Sequence, residues 1–120
     1  MSAAADSGRV LFVLTTVSTD AEARAIAERL VNERLAACVN AIPGLRSLYR
    51  WKGAVEESRE ILLLVKTLES RYEDVARAIR EIHPYELPEI VALGADRVEE
   101  TFARWIADSC GDGTPLAEAP

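Results

Sequence analysis

The sequence has 120 residues, with 14 Lys and Arg against 20 Asp and Glu, so that its formal net charge is −6. The length is typical of one domain, and 49% hydrophobic residues exclude wholesale disorder. The pI is near 4.8, and a protein this acidic is not expected to have a basic face that neutralises phosphates, which argues against nucleic-acid binding. Two cysteines cannot form a disulfide framework, and neither a secretory signal nor an apolar run of membrane-spanning length is present. We therefore expect a cytoplasmic protein without a membrane partner.

The first half of the chain predicts a strand, a helix and a long hairpin. Residues 9–16 are apolar on both faces, as in a central strand. Thr19 and Glu22 form a capping-box pattern at the start of an amphipathic helix over residues 20–34. The extended stretches Cys38–Trp51 and 55–67 then follow, separated by a Lys-Gly turn.

The second half predicts a helix, a strand and a further helix. Ser70 and Glu73 suggest another capping box, and the helix must end at His83 because the residue before a proline avoids the α region. Residues 88–93 predict the fourth strand, and a third amphipathic helix follows it.

This order of elements predicts an α+β fold. A ferredoxin-like βαββαβ sandwich, with two helices on one face of a four-stranded antiparallel sheet, matches it, and the C-terminal helix is an addition. We expect residues 1–8 to be disordered, residues 9–110 to form one domain and residues 111–120 to be a loose tail.

The hairpin of residues 38–67 is too long for a domain of this size. Its first strand would extend about 46 Å, whereas a globule of this length has a diameter of roughly 35 Å. The distal part carries apolar side chains that a projecting hairpin would leave exposed; these are Leu45, Leu48, Tyr49, Trp51 and Val55. The hairpin length therefore predicts a homo-oligomer.

The segment His83-Pro84-Tyr85-Glu86 is the densest chemical signal. It places an imidazole, a phenol and a carboxylate on a proline-stiffened loop between a helix and a strand. The alternative interpretation is structural, with a histidine at the helix C-terminus, a tyrosine covering the core edge and a solvated glutamate.

Four other residues have both a structural and a functional interpretation. Cys38 is either a small core residue or a thiolate ligand, and thiolate with imidazole would suit copper or zinc. Lys66 ends a buried strand, where its ammonium either reaches solvent or meets an anion or Glu86. Trp51 and Tyr49 are typical of a subunit contact, with stacking on a ligand as the alternative.

Several enzyme classes lack their motifs. The sequence has no glycine-rich phosphate loop, no G-x-S-x-G, no H-E-x-x-H and no C-x-x-C. The sequence has a single histidine and no motif that pairs a general acid with a general base, so it carries no catalytic signature. We therefore expect a protein that is not an enzyme and has no organic cofactor.

Four segments have a distinctive composition: residues 35–40 (LAACVN), 47–53 (SLYRWKG), 62–67 (LLLVKT) and, above all, 83–90 (HPYELPEI). Through these segments the sequence resembles the CutA family of divalent-cation tolerance proteins, and the similarity covers residues 10–107. The chain departs from the family pattern towards its end, where Gly94, Val98 and Phe102 replace a proline, a glycine and a tyrosine.

The resemblance implies a tight homotrimer held together by the long hairpin, similar to PII signalling proteins. It also implies tolerance of divalent cations and a pocket between subunits, formed by the residues that match Cys38, Trp51, Lys66, His83, Tyr85 and Glu86. Our leading hypothesis is a trimer that binds copper(II) or another divalent transition metal through His83, Cys38 and Glu86. Three-fold symmetry would supply one histidine to each of three clefts.

The alternative hypothesis is a signalling or scaffold trimer of the PII type. Its clefts between subunits would bind a small anionic molecule or a partner protein. Lys66 and Arg50 would hold the anion, while Trp51 and Tyr85 stack against it.

Overall fold

A computed structural model describes residues 8–111, so that the expectations for residues 1–7 and 112–120 lie outside the described residues. The elements are β1 (Val10–Val17), α1 (Asp20–Asn32), β2 (Cys38–Trp51), β3 (Ala54–Leu68), α2 (Tyr72–Ile82), β4 (Val91–Gly94) and α3 (Glu100–Ser109). The predicted α+β order with an additional C-terminal helix is confirmed. None of the helices described here is long and apolar enough to cross a membrane.

The helix cap predicted from the sequence is confirmed at α1 but not at α2. At α1 the Glu22 N–H donates to Thr19 Oγ1 at 3.1 Å, and the Thr19 N–H donates to Glu22 Oε1 at 3.1 Å, which completes the predicted capping box. The capping box predicted at Ser70 is wrong, because a turn of 3₁₀ helix (Glu69–Arg71) leads into α2 without a side-chain cap. β4 begins later than predicted, at Val91.

The four strands form an antiparallel sheet in the order β2-β3-β1-β4. β1 pairs with β3 without a bulge, from Val10 opposite Leu68 to Val17 opposite Ile61. Side chains alternate between the two faces of each strand, and one face packs against α1 and α2. The largest fully buried apolar side chains of that core are those of Val13, Val17, Ile26, Leu30, Leu63, Val65, Val75 and Ile79.

The opposite face of the sheet is apolar and largely uncovered within residues 8–111. Helix α3 covers one end, where Ile106 and Cys110 pack with Val10 and Leu68. The apolar side chains of the rest, called here the open face, are those of Leu14, Ile42, Leu62, Leu64, Val91 and Leu93, and the polar Asn40 lies beside them. Leu93 is 54% exposed and Val91 45%. A contiguous apolar surface of this kind is typical of a protein–protein contact.

The distal hairpin, called here the arm (residues 45–60), projects beyond β1. Its seven residue pairs run from Leu45 opposite Glu60 to Trp51 opposite Ala54, past the end of β1 at Val17, and extend about 23 Å. The molecule accordingly measures 49 Å along its longest axis, against 32 and 24 Å. The predicted overhang is confirmed. A register shift between Ile42 and Leu45, where Gly44 has φ +86°, marks a β-bulge at the base of the arm.

Candidate functional site

A cleft of about 570 Å³ lies between the arm and the loop that joins α2 to β4. Its size is typical of a site for a small organic molecule. Five of the residues predicted from the sequence line it together, namely Tyr49, Arg50, Trp51, Tyr85 and Glu86. Sequence reasoning missed Ser18, Glu60 and Glu89, which also line the cleft.

His83 fastens the loop to the sheet beneath this cleft. It ends α2 in an extended conformation, as expected before Pro84, and its backbone N–H donates to the Ile79 carbonyl. The imidazole is buried, with Nε2 at 2.8 Å from the Thr16 carbonyl oxygen and Nδ1 at 3.1 Å from the Tyr85 nitrogen. A carbonyl only accepts and a backbone N–H only donates, so Nε2 carries the proton and Nδ1 accepts. Both ring nitrogens are therefore occupied within one subunit.

Tyr85 connects the loop to the arm and to the start of α1. Its hydroxyl donates to Glu60 Oε2 at 2.7 Å and lies 2.6 Å from Ser18 Oγ. Since the phenol proton is directed at the carboxylate, the serine hydroxyl is the donor in the second bond. The ring also makes an edge contact with the His83 imidazole, with 4.6 Å between the ring centroids. These contacts set one wall of the cleft.

Desolvation and the neighbouring Glu60 carboxylate raise the pKa of Tyr85 from 10.0 to about 12, although the bond from Ser18 acts in the opposite direction. In the unfolded chain the phenol ionises at its ordinary pKa. The folded protein therefore holds an additional proton between about pH 10 and 12, so that stability falls as pH rises through this range.

We expect the difference in tyrosinate absorbance between the wild type and Tyr85→Phe to titrate near pH 12. A difference that titrates near pH 10 would contradict the desolvation of the phenol and its contact with Glu60. The pH dependence of unfolding gives a second readout, because Tyr85→Phe should flatten the loss of stability between about pH 10 and 12.

The cleft is acidic. Three carboxylates, those of Glu60, Glu86 and Glu89, line it against one guanidinium, that of Arg50. Glu86 forms an exposed ion pair with Lys52 at 3.6 Å, and such pairs contribute little to stability. This lining favours a cation over the small anion of the alternative hypothesis.

Cys38 and Lys66 lie away from this cleft in a single subunit. They pair across β2 and β3, whereas His83 bonds the carbonyl of Thr16, which pairs with Leu62. Four residues of β3 separate the two positions, or about 13 Å. The Lys66 ammonium lies 5.9 Å from the ring centroid of Phe12 and 5.7 Å from that of Phe102.

The side chains needed for a metal centre do not converge within one chain. Among residues 8–111, no three side chains of His, Cys, Asp or Glu lie close enough together to hold a metal ion. The structure therefore brings Glu86 to the cleft, holds His83 beneath it through two hydrogen bonds and leaves Cys38 further along the sheet.

Comparisons with known proteins agree with this fold. The model of the CutA1 divalent ion tolerance protein family matches residues 11–109. The divalent-cation tolerance protein CutA of Thermus thermophilus is 46% identical over 99 residues, which cover 82% of this chain and 96% of that protein. The crystal structure of CutA from Xylella fastidiosa is 35% identical, with a TM-score of 0.84, and the match covers 86% of this chain and 99% of that one.

A second solved structure supports the same assignment. The chain described as CutA1 from Oryza sativa is 31% identical, with a TM-score of 0.84, over 88% of this chain and 96% of that one. The family match spans nearly all of the described residues, including both the arm and the loop after α2. This chain therefore belongs to the CutA1 divalent ion tolerance protein family.

Proposed function

We propose that the protein is a cytoplasmic homotrimer that binds divalent transition-metal ions, copper(II) first, and contributes to tolerance of these ions. It acts by binding and not as an enzyme, and it uses no organic cofactor. Its membership of a divalent ion tolerance family supports the metal part of this proposal. The acidic cleft, which Glu86 lines, is the observation that supports the proposal most directly.

The open face and the arm support assembly. A single chain leaves Val91, Leu93 and Ile42 exposed on one apolar surface, and its arm has no strand from β1 beside it. A second and a third copy would cover the open face and contact the arm. Three chains of net charge −6 carry about −18 together, which raises the local concentration of cations around the clefts.

Assembly also bears on the ligand set. Because one chain does not bring three such ligands together among residues 8–111, Cys38 of one subunit would have to meet His83 or Glu86 of another. Glu86 is ready for this role, since its side chain is 71% exposed. His83 would have to exchange the Tyr85 N–H at Nδ1 for the metal ion.

Calorimetric titration of Cu²⁺ tests the proposal. We expect saturable binding in the wild type and binding weakened by at least about tenfold in Glu86→Gln, Cys38→Ser and His83→Ala. Matched controls are Cys110→Ser, which removes the other thiol, and Glu57→Gln, which removes a carboxylate outside the cleft. Unchanged binding in Glu86→Gln and Cys38→Ser would exclude both residues as ligands, and no binding to the wild type would overturn the proposal.

The mass of the wild type in solution tests the assembly separately. Three chains of 13.2 kDa should sediment as one species of about 40 kDa. A mass near that of a single chain would contradict the trimer without bearing on whether that chain binds metal.

A further inference from the structure

The structure holds an ammonium group of its own at the rim of the cleft. Lys52 Nζ lies 5.5 Å from the centroid of the Trp51 ring and 3.6 Å from Glu86 Oε2. Trp51 and Glu86 both line the cleft, whereas Lys52 belongs to the turn at the tip of the arm. An aromatic face and a carboxylate thus already converge on a primary ammonium at this point.

This combination recognises an organic ammonium better than it recognises an anion. The face of a tryptophan ring attracts a cation through its quadrupole, and the carboxylate neutralises the charge. The Lys52 side chain is 70% exposed, so that its ion pair with Glu86 is weak and readily displaced. A ligand ammonium could therefore take the place of the lysine without disturbing the fold.

The remainder of the cleft suits a longer cation. Beyond Trp51, the walls are formed by the rings of Tyr49 and Tyr85, which can pack against an aliphatic chain. Two further carboxylates, Glu60 and Glu89, lie on the same lining and outnumber its one guanidinium, that of Arg50. Glu60 accepts the Tyr85 proton through Oε2, and this bond leaves the other carboxylate oxygen able to accept from a ligand.

We propose that the cleft binds an aliphatic diamine or polyamine, with one ammonium between Trp51 and Glu86 and a second near Glu60 and Glu89. The volume of about 570 Å³ is far larger than a bare ion requires and is typical of a site for a small organic ligand. This inference goes beyond metal tolerance and does not depend on metal binding. Lys52 acts here as a built-in competitor for the ammonium position.

Titration with spermidine, followed by tryptophan fluorescence, tests this site. The chain has two tryptophans, and Trp105→Phe leaves Trp51 as the only reporter. In this background we expect a saturable change with spermidine. Hexanediol, which has an aliphatic chain without charge, and Mg²⁺, which has charge without a chain, should not reproduce it.

Three variants in the same background sharpen the test. Glu86→Gln should weaken spermidine binding by about two- to fivefold or more, because it removes the carboxylate at the ammonium position. Lys52→Gln should strengthen binding by about two- to fivefold, because the competing ammonium is lost. Glu57→Gln changes the net charge equally but lies outside the cleft lining, and it should leave the affinity unchanged.

Some results would overturn the proposal. These are no saturable response to spermidine, an equal response to Mg²⁺ or hexanediol, weaker binding in Lys52→Gln, or an equal loss in Glu57→Gln and Glu86→Gln. Cu²⁺ calorimetry on the same proteins separates the two functions. Copper binding without spermidine binding would contradict the amine site alone, and spermidine binding without copper binding would contradict the metal proposal alone.

Discussion

Replacing Leu93 with lysine should convert the assembled protein into single folded chains. Leu93 is 54% exposed on β4 of one subunit, so that a lysine there costs the isolated fold little. In the proposed trimer the same position is covered by another copy, and each subunit would bury an unpaired ammonium. Such buried, unpaired charges cost several kcal/mol each, which lowers the association constant by more than about a hundredfold.

Sedimentation and circular dichroism measure the two parts of this prediction. We expect a mass of 13.2 kDa in place of about 40 kDa, with the far-ultraviolet spectrum retained. Val31→Lys is the matched control, because Val31 is 41% exposed on α1, away from the open face. A Leu93→Lys protein that keeps the mass of the wild type, or a Val31→Lys protein that dissociates equally, would contradict the open face as the interface.

Replacing His83 with alanine should lower the free energy of unfolding by about 2–4 kcal/mol. The substitution leaves the Thr16 carbonyl and the Tyr85 N–H without their partner and opens a cavity where the imidazole is buried. Tyr85 depends on the same loop, so its bonds to Glu60 and Ser18 should weaken as well. The mutation therefore acts on the cleft through the loop, even without a metal ion.

Chemical denaturation at one chain concentration measures this effect, since the stability of an oligomer depends on concentration. His83→Gln should recover part of the loss, because its amide N–H can still donate to Thr16. Ile82→Ala, at a neighbouring position that is 37% exposed, should cost less than His83→Ala. If both changes cost the same, the two imidazole hydrogen bonds would have no measurable share in stability.

The two hydrogen bonds also change how a copper titration of His83→Ala should be interpreted. A loss of binding in that variant could follow from a displaced loop as well as from a lost ligand. Glu86→Gln and Cys38→Ser are therefore the more direct tests. Cys38 lies on β2 and not in the loop, and the substitution of Glu86 removes an exposed, weak ion pair with Lys52.

The elements of the fold were accessible from the sequence because their signals are local. The capping box of Thr19 and Glu22, the end of α2 before Pro84 and the strand Cys38–Trp51 each depend on residues close together in the chain. The length of the hairpin also followed from the sequence, because strand length is proportional to residue number. Ser70 failed as a cap because its turn belongs to a short 3₁₀ helix.

The candidate site was accessible only in part. The segments 47–53 and 83–90 stood out from their composition and their resemblance to a family, and both do line the cleft. Glu60 did not stand out, because it belongs to a run of charged residues that is typical of a solvated face. Its role depends on Tyr85, which lies 25 residues further along the chain.

The sequence alone thus determined the family, the order of strands and helices and the projecting arm, since periodicity, caps and motifs are properties of neighbouring residues. The tertiary structure decided what each polar group faces. It showed that both nitrogens of His83 are occupied, that Cys38 and Lys66 lie away from the cleft of the same subunit, and that this cleft is acidic. These properties arise from contacts between distant segments, such as the bond from residue 83 to residue 16, which no local pattern encodes.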